Sequence, residues 1–157
     1  MRFWDASAVV PLLMEERWTA ELRELLSRDR AITVWWGTRV EGASAIRRRE
    51  RVGEADATAV GEALALLDGI GAAWAEIQPS EQIQVSAERL LAVHPLRAAD
   101  ALQLAAATAW RRDLTRAEEL VCLDERLRDA AAREGFDLWP ESLLSRPAPR
   151  AAGNRAG

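Results

Sequence analysis

Leu96-Arg97-Ala98-Ala99-Asp100-Ala101-Leu102-Gln103-Leu104-Ala105-Ala106-Ala107 is the stretch around which the chain is organised. It predicts a helix rich in small residues, entered just after His94-Pro95, with one carboxylate in an otherwise apolar first turn. Desolvating a carboxylate is costly or shifts its pKa, so an Asp in this setting calls for a partner. Alanines at this density let neighbouring backbones come close, which places Asp100 in a cleft rather than on open surface. The plain alternative is an acid near a helix N-terminus, favoured by the macrodipole by about 0.3–1 kcal/mol. Its company elsewhere in the chain decides between the two.

Working outward, Leu120-Val121-Cys122-Leu123 reads as a buried strand, and Asp124 opens a helix with Leu127, Ala130 and Ala131 on one side. Gly135 ends that helix, and Phe136-Asp137-Leu138-Trp139 is a last short strand before Pro140. Upstream of the central stretch, Ile83, Ala87, Leu90 and Leu91 make one apolar helical face after Pro79-Ser80. Ala73 to Ile77 is a short strand, and Val60, Ala63, Leu64 and Leu67 mark a helix stopped by Gly69 and Gly71. Ala31 to Trp35 is another strand, and Thr38-Arg39-Val40-Glu41 opens a helix running toward Arg49. Trp18, Leu22, Leu25 and Leu26 fall at helical spacing. Arg2-Phe3-Trp4 is a first strand ending at Asp5, with Ser7 as the cap of a helix through Met14 and Pro11 an awkward member of it. Strands alternating with helices predict an α/β fold of three layers, a central mainly parallel sheet flanked by helices. One domain over residues 1–145 and a disordered tail over 146–157 are expected.

The composition prunes functions. With 157 residues, 49% apolar and 29% charged, the chain is of ordinary globular type and large enough to bury a core. A single cysteine, Cys122, excludes an internal disulfide and suits a reducing, cytoplasmic setting. No apolar run reaches the ~20 residues of a membrane span, and Glu15-Glu16 close the one apolar N-terminal segment. The net charge of −4 does not advertise nucleic-acid binding, although cations held by several carboxylates would unmask a basic rim. There is no lysine, which removes a Walker-type phosphate loop, Schiff-base chemistry and lysine-dependent acidic phosphatase pockets.

Four acids share one kind of position. Asp5 and Asp124 end strands, and Glu41 and Asp100 lie in first turns of helices. In an open parallel sheet these places converge on one edge, where ligands bind. Carboxylates gathered there repel one another and need cations. An oxygen-only donor set suits Mg²⁺ or Mn²⁺ rather than zinc. Such ions lower the pKa of an attacking water and stabilise a leaving oxygen in phosphodiester hydrolysis. Each acid also has a plain explanation. Thr38-x-x-Glu41 is a legitimate capping box, Asp124 a natural N-cap, and Asp5 the start of a turn.

Phe3-Trp4-Asp5-Ala6-Ser7-Ala8-Val9-Val10 resembles the opening of PIN-domain proteins, a strand ending in Asp with a hydroxyl residue two places on. Glu41 within Val40-Glu41-Gly42-Ala43-Ser44-Ala45 resembles the family's second acid. Leu96-Arg97-Ala98-Ala99-Asp100-Ala101-Leu102 is similar to its third-acid motif, and Cys122-Leu123-Asp124-Glu125-Arg126-Leu127 to its fourth. The resemblance spans about residues 2 to 139. It implies a PIN fold, a Mg²⁺- or Mn²⁺-dependent ribonuclease and a VapC-like toxin paired with a small antitoxin, as a homodimer without membrane association. By position, Asp5, Glu41, Asp100 and Asp124 would be the catalytic, metal-binding acids, supported by Ser7, which would orient the first acid. The chain departs from the pattern at Ala6, where a second hydroxyl is common. Gln103 replaces a frequent His, and Cys122 replaces Ser or Thr. These departures keep open a non-catalytic PIN-like module that binds RNA or a protein.

Arg47, Arg48 and Arg97 are the candidate RNA contacts. The run Arg47-Arg48-Arg49-Glu50-Arg51 is equally explained as a solvated helix end, and Arg97 as a partner of a carboxylate. Trp4 is expected in the core. Trp35 and Trp36 cannot share an environment, because successive strand residues point to opposite faces. His94, biased toward extended backbone by Pro95, reads as a loop residue packed on a neighbour.

Overall fold

The computed structural model describes residues 1–112 and 119–143; the expected tail at 146–157 lies outside them. Among the described residues a five-stranded sheet forms in the order β3-β2-β1-β4-β5. Its strands are β1 (Arg2–Trp4), β2 (Ile32–Trp35), β3 (Ala75–Ile77), β4 (Glu119–Val121) and β5 (Asp137–Trp139), and every pairing is parallel. Seven helices flank it: α1 (Ala6–Leu13), α2 (Thr19–Arg28), α3 (Thr38–Arg51), α4 (Ala57–Gly71), α5 (Glu81–Val93), α6 (Ala98–Arg112) and α7 (Glu125–Arg133). The expected three-layer α/β architecture is the one the chain adopts.

Alternation along each strand divides the interior in two. Phe3, Trp35 and Leu120 face α5, α6 and α7, whose Leu90, Leu104 and Leu127 meet them. Trp4, Val34 and Val121 face the other way, onto α1 to α4 through Val9, Leu22, Ile46 and Leu67. Both faces are covered, which is why these strands read as continuous apolar runs rather than alternating ones. The alanine stripe Ala105-Ala106-Ala107 is buried on the α5, α6, α7 side, where small side chains let α6 approach the sheet.

Several boundaries differ from the expectations. The cap of α1 is Asp5 rather than Ser7, because the Asp5 side chain accepts from the Ser7 amide and the helix begins two residues earlier. Pro11 sits inside α1 without ending it. Helix α4 runs through Gly69 to Gly71, and Trp74 closes its last turn by donating to the Ile70 carbonyl, so β3 starts only at Ala75. Trp18 caps α2 from outside, Leu91 is exposed, and Phe136 precedes β5. Strand β4 ends at Val121, which leaves Cys122 and Leu123 to lead into α7.

Trp35 is buried and Trp36, just past the strand, is 49% exposed, separating the pair as expected. His94 is buried, extended at φ −131° and ψ 146°, and its Nε2 lies 2.8 Å from Glu134 Oε1. It packs the α5–α6 junction onto the end of α7 and takes no part in the acidic edge.

Candidate functional site

All five strands point the same way, so their C-terminal ends and the helices that follow form one edge. Asp5 leaves β1 there and Asp124 follows β4. Glu41 stands one turn into α3, and Asp100 is the third residue of α6.

Each carboxylate is held by a donor of its own. Asp5 is 4% exposed, and its Oδ2 accepts from the Ser7 amide at 2.9 Å and from the Ser7 hydroxyl. Asp124 caps α7, with Oδ1 accepting from the Leu127 amide at 2.9 Å. Asp100 reaches back to the Arg97 amide at 3.1 Å and satisfies the start of α6. Glu41 does not form the capping box. Thr38 lies inside the helix, Gly37 occupies the cap without a side-chain bond, and Glu41 Oε1 instead accepts from Gln103 Nε2 at 3.0 Å. The helix-cap explanation therefore holds for Asp124 and fails for Glu41, while Asp5, expected only to start a turn, is itself a cap.

The acids feel one another. Burial pushes the Asp5 carboxyl up; the Ser7 hydroxyl and amide work against that, and the charge of Asp124 adds to it. Glu41 is pushed up to about 7, first by burial and then by the charge of Asp5, with Asp100 adding a smaller push and the Gln103 amide opposing. The four acids thus form a chain of like charges, Asp124 to Asp5 to Glu41 to Asp100. Among the described residues none of them makes an ion pair with an arginine.

The supporting residues are more specific than their sequence suggests. Ser7 Oγ accepts from the amides of Leu123 at 2.9 Å and Asp124 at 3.2 Å while donating to Asp5. One hydroxyl therefore ties the end of β1 to the start of α7. Cys122 is fully buried; burial and then the Asp5 charge keep its thiol well above the usual range, so it stays neutral and faces Asp5 Oδ2 at 3.7 Å. Gln103 is 2% exposed, and its Nε2 also donates to Thr38 Oγ1 at 3.3 Å. Its Oε1 is buried with no hydrogen-bond partner, an unfilled acceptor beside Glu41. Thr38, which the sequence suggested only as a cap, is a buried member of this group.

Replacing Ser7 by Ala strands two amides and removes one of the two donors that Ser7 gives Asp5. An expected loss of about 1.5 kcal/mol follows from leaving partly buried donors unmet. A urea titration of the variant, with unchanged stability as the contrary result, checks it.

The arginines sort by partner. Arg47 pairs with Glu50 at 2.9 Å on its own helix, and Arg49 bonds Glu16 across to the loop before α2. Arg97 is exposed and makes no ion pair among the described residues. Arg48 lines a groove that also contains Ser7. Buried Arg128 donates to the Cys122 carbonyl at 2.8 Å and to the Pro140 carbonyl, fixing the segment that carries Asp124.

A hard divalent cation fits this donor set chemically, since carboxylate and carboxamide oxygens without His or a thiolate are what Mg²⁺ and Mn²⁺ take. Among the described residues no three such side chains are already poised as a cage. Each acid rests on its own protein donor.

The chain matches no protein-family model, and no curated protein is significantly similar to it. Among solved structures it is similar to a chain described as "Toxin-antitoxin complex from Klebsiella pneumoniae". The identity is 16%, the match covers 79% of this chain and 87% of that one, and the TM-score is 0.52. What the two chains share at that identity is the fold, a parallel α/β layer structure with its strand ends gathered on one edge.

Proposed function

We propose that the protein hydrolyses RNA phosphodiester bonds with Mg²⁺ or Mn²⁺ held by Asp5, Glu41, Asp100 and Asp124, and that it is a toxin restrained by a small antitoxin. The observation that carries this reading is a line of four interacting carboxylates, two of them pushed up by burial, with no arginine among the described residues paired to any of them in a chain rich in arginine. Four acids so arranged are stabilised by a positive charge from outside the chain. A hard cation bound there supplies Lewis acidity toward a phosphodiester and its attacking water.

The chain's own residues do the rest. Ser7 keeps the Asp5 carboxylate turned to the edge and fixes the distance from β1 to Asp124. Gln103 holds Glu41 in place with a neutral donor, which favours the ionised form against the burial that opposes it. Cys122 fills the floor beneath Asp5 and excludes water from that side. An antitoxin that covered this edge would oppose the acids with a cationic side chain. The toxin role is supported by the fold shared with a chain of a toxin–antitoxin complex.

The test is incubation of a mixed cellular RNA pool with purified protein in Mg²⁺, in Mn²⁺ and in EDTA. Discrete fragments that appear with metal and vanish with EDTA are expected. A second reading, a binding module without turnover, is kept open by Ala6, Gln103 and Cys122, where the chain departs from the pattern of the acidic motifs. Divalent binding by calorimetry with intact RNA would select it, and no metal binding would remove both.

A further inference from the structure

A groove of about 470 Å³ opens beside the acidic edge and shares Ser7 with it. Its walls come from α1, the loop into α2, α3, the start of α7 and Leu143, and they carry Arg17 and Arg48. Glu16 also lines it but is bonded to Arg49, so the charges left to the groove are Arg17, Arg48 and Glu125. Neither Arg17 nor Arg48 makes an ion pair among the described residues, and both are exposed. Arg17 is held instead over the Trp18 ring, its guanidinium carbon 5.7 Å from the ring centroid. A cation at that distance from a ring face is drawn to it without losing its hydrogen-bond donors, which remain available to an anion.

Two guanidinium groups without an ion pair, lining one groove that shares Ser7 with the acidic edge, suit an extended polyanion better than a single small one. We infer that Arg17 and Arg48 grip the phosphodiester backbone of single-stranded RNA on one side of the bond at the acids. This rests on the nuclease reading above and adds to it a direction for the strand: from the acidic edge, past Ser7, between α1 and α3. It also separates Arg48 from its neighbours, since Arg47 and Arg49 are occupied by Glu50 and Glu16.

The experiment measures anisotropy of a labelled single-stranded RNA oligonucleotide bound to the full chain in EDTA across a salt series. Wild type is compared with Arg17→Gln/Arg48→Gln and with Arg23→Gln/Arg30→Gln, a control of equal charge change whose arginines line a different cavity. The groove variant is expected to bind at least about tenfold more weakly. The slope of log affinity against log salt is expected to fall by about 1.4, from two lost single-strand phosphate contacts. The control is expected to stay within about twofold of wild type. Equal loss in both variants, or none in either, overturns the proposal, as does wild type that binds no RNA. Metal-dependent cleavage is scored on the same preparations. Cleavage with an unchanged KM in the groove variant rejects the subsite and leaves the nuclease reading standing. Binding lost in the groove variant, with no cleavage by wild type, keeps the subsite and rejects hydrolysis.

Discussion

Asp5→Asn and Asp100→Asn are each expected to lower metal-dependent RNA cleavage by about a thousandfold or more, roughly 4 kcal/mol of transition-state stabilisation. The same substitutions are expected to leave the fold intact. Asn caps helices about as well as Asp, so the acceptor that Ser7 uses at position 5 survives. What disappears is a buried negative charge beside Asp124 and Glu41. Metal-free Asp5→Asn is therefore expected to melt at or above the wild-type temperature. Added Mg²⁺ should raise the wild-type midpoint by mass action and leave the variants nearly unmoved. Thermal melts with and without Mg²⁺, run beside the cleavage assay, separate this from a structural role. A metal-free Asp100→Asn protein melting several degrees low would assign that acid to the helix start alone.

Glu41→Gln should change how stability depends on pH. The folded-state pKa of Glu41 is about 7 against an ordinary 4.5. Below about pH 4.5 the carboxyl is protonated in folded and unfolded chain alike. Between there and 7 the folded chain keeps a proton that the unfolded chain has released, so this residue's contribution falls as pH rises. The full shift corresponds to about 3 kcal/mol, and solvent reaching the partly exposed carboxyl reduces it to about 2 kcal/mol. Gln cannot ionise and still accepts from Gln103. The variant should match wild type near pH 4 and exceed it near pH 8 by roughly 6 °C in Tm. Asp29, held low by the N-terminal ammonium, and Glu134, held low by Arg89 and His94, slope the other way. The difference between the two chains, rather than either profile alone, isolates Glu41. Parallel profiles would mean that the carboxyl titrates normally.

Strands and helices were legible in the sequence because burial on both faces of a parallel sheet leaves Phe3-Trp4 and Leu120-Val121 without polar interruptions. The positions of the four acids followed from that alternation. Their partners did not. Gln103 reads as a departure from a motif, yet it is the side chain bonded to Glu41 from 62 residues away. The local pattern Thr38-x-x-Glu41 suggests a cap, and a tertiary contact replaces it. Likewise, Arg48 is indistinguishable from Arg47 and Arg49 until Glu50 and Glu16 are seen to occupy its neighbours. Where a side chain's partner is distant in sequence, spacing carries no signal for it.

The Ser7 hydroxyl bonds to amides 116 and 117 residues further along the chain. Strand β1 is made first on the ribosome but sits in the middle of the sheet, and its neighbour β4 is among the last segments to emerge. Until β4 arrives, β1 has one open edge, and Asp5 and Asp124 cannot be neighbours. Contacts of such sequence separation form late. A nascent chain therefore lacks the complete acidic edge while most of it is still being translated. On the proposed nuclease reading, a chain cut short before β4 and Asp124 lacks the complete acidic edge and is expected to be inactive.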